Sequence, residues 1–119
     1  MKIVFPTETK DGLNSELSEH FGRANFFVFL NEKGEVLKII ENESEHKGGV
    51  LKPPQIMKNE GAEVLICKGT GMRALELFRN FGILVYISQE KTVSLAFKKW
   101  KENKLQKANL DTACRGEHL

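Results

Sequence analysis

The sequence is poor in the residues that crosslink small domains or hold metals in sets. Its 119 residues include only two cysteines and three histidines. Two cysteines that form no C-x-x-C pair cannot build a zinc site alone, and a chain of this length buries enough surface to fold without a disulfide. We therefore expect neither a disulfide framework nor a structural zinc, and we predict a chain that stays reduced in the cytoplasm.

Long apolar runs and a strong charge of one sign are also missing. The apolar segments at 25–30 and 82–87 are far shorter than the roughly 20 residues of a membrane span. After Met1 the sequence reads Lys2-Ile3-Val4-Phe5, and we expect no signal peptide from this pattern. The formal net charge is +2, too small to indicate nucleic acid by itself. We expect neither a membrane nor a nucleic acid as partner.

Catalytic constellations are absent as well. The first predicted strand carries none of the carboxylates that a two-metal nuclease on a mixed sheet needs. No Ser-His-Asp set and no G-x-S-x-G motif occurs. We therefore expect a protein that is not an enzyme.

The hydrophobic pattern that is present predicts one α/β domain. Strands are predicted at 2–6, 25–30, 35–41, 63–67 and 83–87, and helices at 50–60, 71–81 and 93–102. The element order β-β-β-α-β-α-β-α indicates a five-stranded mixed sheet with helices on both faces. We assign residues 1–102 to this single domain and 103–119 to a C-terminal extension that we expect to be flexible.

Three loops are expected to meet at one edge of this sheet, because ligands bind outside the carboxyl ends of parallel strands. The first loop contains Ser18-Glu19-His20-Phe21-Gly22-Arg23-Ala24. Its imidazole suits a metal centre and its guanidinium suits an anion, with Phe21 anchoring the loop in the core. The alternative interpretation is a surface histidine beside a glycine turn.

The other two loops carry glycines before predicted helices. Asn42 and His46-Lys47-Gly48-Gly49 precede the first helix, where free amides attract anions and His46 is a candidate second ligand. The alternative is a flexible loop in which the glycines only make a turn easier to form.

The third loop, Gly69-Thr70-Gly71, comes shortly after Cys67. This cysteine is either a thiolate ligand or, as we favour, a buried structural cysteine. Cys114 and His118 lie close enough in sequence to share a metal, but we expect them to belong to a non-functional terminus.

Together these segments resemble the dinitrogenase iron–molybdenum cofactor biosynthesis family over residues 1–102. The resemblance is carried by Lys2-Ile3-Val4-Phe5-Pro6, the His-Phe-Gly-Arg segment at 20–23, and the two glycine loops in the same order. It implies a three-layer α/β/α fold of the ribonuclease-H-like type with a five-stranded mixed sheet. It also implies a non-enzymatic carrier that binds an iron–molybdenum cofactor, or its iron–sulfur precursor, transiently.

The resemblance further implies which residues hold the cluster. His20 matches the family's proposed cofactor ligand, and Arg23 would pair with the negative charge of the cluster. The other cofactor-binding positions that it implies are Asn42, His46, Gly48, Gly49, Gly69 and Gly71, whereas Cys67 remains only a possible metal ligand. The implied partners are cluster-assembly or cluster-accepting proteins. The alternative function is a metal-independent regulatory module that holds a small anion or an acidic segment of a partner.

Overall fold

The computed structural model of the protein describes residues 1–44 and 48–109. The strands are β1 Ile3–Thr7, β2 Phe26–Leu30, β3 Val36–Glu41, β4 Val64–Cys67, β5 Leu84–Ile87 and β6 Gln106–Lys107. The helices are α1 Pro53–Asn59, α2 Met72–Asn80 and α3 Val93–Lys101, and single 3₁₀ turns lie at Gly12–Asn14 and Phe21–Arg23. All these strands form one sheet in the order β3-β2-β1-β4-β5-β6.

The sheet is mixed, as predicted. Strands β1, β4 and β5 run parallel to one another, while β2 pairs antiparallel with β1, β3 with β2, and β6 with β5. The expected α/β class is therefore confirmed. The expected count of five strands and the exact element order are wrong, because β6 adds a sixth strand beyond α3.

The sixth strand follows from the way α3 ends. Asn103 adopts a left-handed backbone with φ 58°, a conformation that asparagine tolerates better than most residues. Its N–H donates to the Trp100 carbonyl (3.0 Å) and the Lys104 N–H donates to the Lys99 carbonyl (2.9 Å), which together form a Schellman turn. The turn sends the chain back along β5, where the Ala108 N–H reaches the Val85 carbonyl at 2.8 Å.

The helices cover both faces of the sheet. On one face, Met57 of α1 and Phe78 of α2 are fully buried against the sheet. On the other face, Val93 and Ala96 of α3 are fully buried. Every residue of β1 is buried, which explains its continuous apolar sequence. Replacing a buried phenylalanine such as Phe78 by alanine typically lowers the free energy of unfolding by about 3–5 kcal/mol.

The strand directions bring the predicted loops to one edge. Thr7 at the end of β1 pairs with Phe26 at the start of β2, and Phe26 pairs with Glu41 at the end of β3. The first loop (residues 8–25), the second loop (42–52) and the third loop (68–71) therefore leave the sheet at the carboxyl ends of β1 and β4. We call this side of the molecule the carboxyl edge.

Within the described part of the chain, none of the helices combines the length and the hydropathy needed to cross a bilayer.

Candidate functional site

The first loop holds His20 at the surface and fixes its backbone. The His20 side chain is exposed, and the next residue begins the 3₁₀ turn Phe21–Arg23. The His20 carbonyl accepts the Arg23 N–H at 3.0 Å. Phe21 packs against the core beneath α2, edge-on to the Phe78 ring. The prediction that Phe21 anchors this loop while His20 faces outward is confirmed.

Ser18 braces the same loop from inside. Ser18 is 4% exposed, and its hydroxyl donates to Glu8 Oε2 at 2.7 Å, with the His20 carbonyl as a longer second acceptor at 3.2 Å. The Ser18 N–H donates to the Pro6 carbonyl at 3.0 Å, which ties the loop to β1. A buried hydroxyl on a carboxylate is a charge-assisted bond and restrains both groups. The segment ahead of His20 is therefore held at both its side chain and its backbone.

Asn42 joins the first loop to the second. Its amide nitrogen donates to the carbonyls of Gly22 (2.9 Å) and Ala24 (2.8 Å), and its Oδ1 accepts the Ser44 N–H at 3.0 Å. The side chain is buried, and both of its N–H donors are used within the protein. The implied contact between Asn42 and a cofactor stays a prediction, and the structure gives this side chain the task of positioning the His20 loop.

The glycine pair of the second loop meets two backbone requirements. Gly48 has φ +90°, a conformation that side chains rarely permit, and Gly49 donates its N–H to the Ser44 carbonyl at 2.8 Å. A Cβ on Gly49 would overlap the carbonyl oxygen of Glu43. Close backbone approach is a common reason for glycine, so this pair shapes the loop. His46 lies outside the described residues, as do Cys114 and His118.

The third loop leads into the N-terminus of α2. Gly71 occupies the N-cap position without any side-chain cap, so amides of the first helical turn lack a capping side chain. Space around Gly71 is open, whereas Thr70 between the two glycines is 2% exposed. Cys67 at the end of β4 is 1% exposed and belongs to the apolar core beneath α2, in agreement with the favoured interpretation of a structural cysteine.

An ion pair connects the first and third loops. Lys68 Nζ lies 3.0 Å from Glu19 Oε1. The Lys68 side chain is only 15% exposed, whereas the Glu19 side chain is 75% exposed. The Asn42 bonds and this ion pair together show that the three loops meet at the carboxyl edge, as predicted.

A groove runs along the first loop beside His20. It has a volume of about 270 Å³ and is lined by Glu8, Glu16, Leu17, Ser18, Glu19, His20 and Arg23. Three of these residues are glutamates and one is an arginine, so the lining carries more carboxylates than cations. Arg23 is exposed and forms no ion pair with any described residue, although carboxylates share its groove. Its guanidinium is therefore available to an incoming anion.

The described residues offer few ligands for a bare metal ion. Within 1–44 and 48–109, no three histidine, cysteine or carboxylate side chains lie together in a way that would hold one. Structural metal ions such as zinc take four protein ligands, whereas a pre-assembled cluster brings its own sulfide bridges. What the described residues do bring to one groove is the exposed imidazole of His20 and the exposed guanidinium of Arg23.

Comparison with known proteins identifies the family. The family model described as dinitrogenase iron–molybdenum cofactor matches residues 1–103. This chain belongs to the dinitrogenase iron–molybdenum cofactor family. An uncharacterised protein of Methanocaldococcus jannaschii is 31% identical over 112 residues, which cover 90% of this chain and 91% of that protein.

Solved structures carry the same fold. The NMR structure of a NifB-like Thermotoga protein of the DUF35 family has a TM-score of 0.75 at 28% identity, covering 97% of each chain. The apo form of the orange protein from Desulfovibrio gigas has a TM-score of 0.78 at 22% identity, covering 90% of this chain and 92% of that one. The second likeness shows a shared fold alone.

Some residues of the carboxyl edge had no predicted role. The sequence does not indicate that Ser18 would bind Glu8, or that Glu19 would pair with Lys68 across 49 residues. Lys68 does carry one usable signal, because it directly follows a predicted parallel strand and therefore must lie at the carboxyl edge. That position does not indicate that its partner is the carboxylate of Glu19.

Proposed function

We propose that this family member is a non-enzymatic carrier of an iron–molybdenum or iron–sulfur cluster, or of its precursor, with His20 as the protein ligand. The observation that carries the proposal is the exposed His20 side chain at the end of a braced loop, in a chain whose family is named for the cofactor. Neutral imidazole is an established ligand for iron in clusters. Phe21 anchors the loop and so keeps His20 in place, while the His20 imidazole ring stays exposed.

The neighbouring groups suit an anionic cargo that must be released again. Arg23 supplies a guanidinium that pairs with no carboxylate among the described residues. The glycines of the third loop leave the α2 N-terminus open, where amides and the helix dipole favour negative charge. Four thiolates would hold a cluster tightly, whereas one imidazole exchanges more readily. We infer from that weak ligation a hand-over to cluster-assembly or cluster-accepting proteins, and the proposal takes this carrier to be cytoplasmic.

The remaining predicted residues take supporting parts in this proposal. Asn42 and Gly49 shape the described part of the second loop, and His46, which the same loop contains in sequence, is the proposed second ligand. Gly48, Gly69 and Gly71 let backbone amides approach the cargo. Cys67 is not needed as a ligand.

The test is anaerobic cluster binding by the full chain. Metal-free protein is mixed with isolated iron–molybdenum cofactor, and co-elution of iron, molybdenum and visible absorption with the protein is measured for the parent, His20→Ala and His20→Cys. Asn80→Ala, an exposed change at the far end of α2, is the matched control. We expect His20→Ala to lose at least about tenfold in affinity, equal to about 1.4 kcal/mol. His20→Cys should retain binding, and equal binding by His20→Ala would refute the ligand assignment.

A metal-independent anion-binding module is the second candidate. It is favoured by the exposed Arg23, which forms no ion pair within residues 1–44 and 48–109, and by the N-terminus of α2, which has no side-chain cap. Isothermal titration of the metal-free protein with phosphate separates the two candidates. Phosphate binding that depends on Arg23, without cluster binding, would support the module and contradict the carrier.

A further inference from the structure

The two partners of the Lys68–Glu19 ion pair differ strongly in solvent exposure, and this difference bears on the cargo site. Lys68 lies immediately after β4, its side chain is 15% exposed, and its carbonyl accepts the Gln89 Nε2–H at 3.1 Å. Glu19 projects from the first loop and its side chain is 75% exposed. The Lys68 backbone is therefore tied to the body of the protein and its side chain is mostly buried, whereas the carboxylate that pairs with its ammonium belongs to an exposed side chain.

This asymmetry makes Glu19 the partner that can leave. An exposed carboxylate regains water when it rotates away, so breaking the pair costs it little. The ammonium of a mostly buried lysine is poorly hydrated, so it attracts a nearby anion more strongly than an exposed ammonium does. A multivalent anion that enters beside Lys68 can therefore replace the Glu19 carboxylate as the partner of this ammonium.

The position of Glu19 couples this exchange to His20. Glu19 precedes His20 directly and lines the same groove as His20 and Arg23. In the structure, the Glu19 carboxylate adds negative charge to a groove that already contains Glu8 and Glu16. An anionic cargo would be repelled by that carboxylate unless it also displaced it from Lys68.

We propose that Lys68 is a second cation of the cargo site and that Glu19 is a displaceable internal anion that occupies it until the cargo arrives. The ligand class is a multivalent anion with sulfide or oxo groups at its surface. This inference rests on the proposed function, since it assigns Lys68 to the site of His20. Glu19 acts as a competitor that sets a threshold for binding, so weakly charged anions are rejected and the highly charged cargo is accepted.

A second lysine–glutamate pair serves as the control. Lys38 Nζ lies 2.9 Å from Glu60 Oε1, but there the lysine is 53% exposed and the carboxylate 27% exposed. This pair lies near the start of β1, where Lys2 Nζ also donates to the Glu60 carbonyl at 2.9 Å. It matches the Lys68–Glu19 pair in chemistry and overall charge, and lies away from the carboxyl edge.

The experiment measures affinity for two anionic probes. The probes are a dianionic synthetic [4Fe–4S] thiolate cluster, handled anaerobically, and molybdate. The variants are Glu19→Gln, Lys68→Gln and the double change, with Glu60→Gln and Lys38→Gln as controls. We expect Glu19→Gln to strengthen binding about fivefold and Lys68→Gln to weaken it about tenfold. In the Lys68→Gln background, Glu19→Gln should have a much smaller effect, because no cation remains to be uncovered.

Each outcome decides the question. If the parent binds the cluster and neither Lys68→Gln nor Glu19→Gln changes affinity for either probe, the inference is wrong while the proposed carrier stands. If molybdate binds in a Lys68-dependent way and the cluster does not bind, the inference holds and the carrier is contradicted. Equal effects from the Lys38 and Glu60 changes, or no binding of either anion by the parent, would overturn the inference. Because Glu19 is exposed, Glu19→Gln is a folded probe even if Lys68→Gln is unstable.

Discussion

The Phe21 ring meets the Phe78 ring edge-on, with 5.5 Å between the ring centroids and 61° between the ring planes. Edge-to-face aromatic pairs of this geometry are favourable beyond their buried area. Phe78 is fully buried in α2, so this contact ties the residue after His20 to the rigid part of the molecule. The position of the candidate ligand therefore depends on a core helix as well as on its own loop.

Phe21→Ala tests that dependence. Phe21 is only half-buried, so its truncation should cost about 2 kcal/mol, roughly half the loss for a fully buried ring. Urea denaturation measures the stability, and cluster titration measures the affinity. We expect both to fall, because the His20 loop loses its anchor. Phe21→Leu should recover most of the stability, and an Ala variant with parental stability and affinity would show that the ring does not position the loop.

Asn42→Ala removes the link between the first and second loops. The carbonyls of Gly22 and Ala24 lose their donors, and unsatisfied groups of this kind cost about 1–3 kcal/mol. Chemical denaturation should show this loss, whereas Asn59→Ala, an exposed change at the end of α1, should stay within about 0.5 kcal/mol of the parent. If Asn42→Ala is as stable as Asn59→Ala but binds no cluster, Asn42 contacts the cargo rather than positioning the loop.

Gly49→Ala and Gly71→Ala should behave differently although both lie in site loops. A Cβ on Gly49 would overlap the Glu43 carbonyl, whereas a Cβ on Gly71 meets no atom within 4 Å. Gly49→Ala must therefore shift the second loop and lower the melting temperature by several degrees, about 1–3 kcal/mol in free energy. Gly71→Ala should leave the melting temperature nearly unchanged. Equal melting temperatures for the two variants would contradict the close approach at Gly49.

Asn103 tests the turn that creates β6. Asn103→Gly should preserve or slightly raise stability, because glycine adopts the left-handed conformation without strain. Asn103→Ala should lose about 1 kcal/mol, and hydrogen exchange at the Ala108 amide should become faster as β6 detaches from β5. Unchanged exchange at Ala108 in the Ala variant would mean that β6 does not need this turn.

Sequence patterns predict this fold well where apolar residues define the elements. The continuous apolar run of β1 and the aromatic run of β2 indicate their strands directly, and glycine marks the ends of α1 and α2. The sixth strand escaped prediction because Gln106 and Lys107 are exposed and carry no apolar alternation. The one local signal was Asn103, whose preference for the left-handed conformation ends α3.

The candidate site is predictable in its location and less so in its contacts. Strand order alone brings the three loops to one edge, since loops after parallel strands leave the sheet on the same side. The ion pair and hydrogen bonds between the loops depend on tertiary geometry. No sequence spacing predicts the pairing of Glu19 with Lys68, or the hydrogen bond from Asn42 to the Gly22 carbonyl. The same limit applies to Ser18, whose hydroxyl finds Glu8 only after the chain has folded.

The most direct test of the central claim is whether an imidazole nitrogen of His20 coordinates the bound cluster. Pulsed electron paramagnetic resonance of the reduced, cluster-loaded protein detects the hyperfine coupling of a ligating nitrogen. We predict a nitrogen coupling in His46→Ala, where His20 is the one proposed imidazole ligand that remains, and its loss when His20→Cys is added to His46→Ala, because that double variant binds the cluster through sulfur. A His46→Ala spectrum without nitrogen coupling, or a coupling that survives in the His20→Cys, His46→Ala double variant, would contradict the assignment of His20 as the ligand.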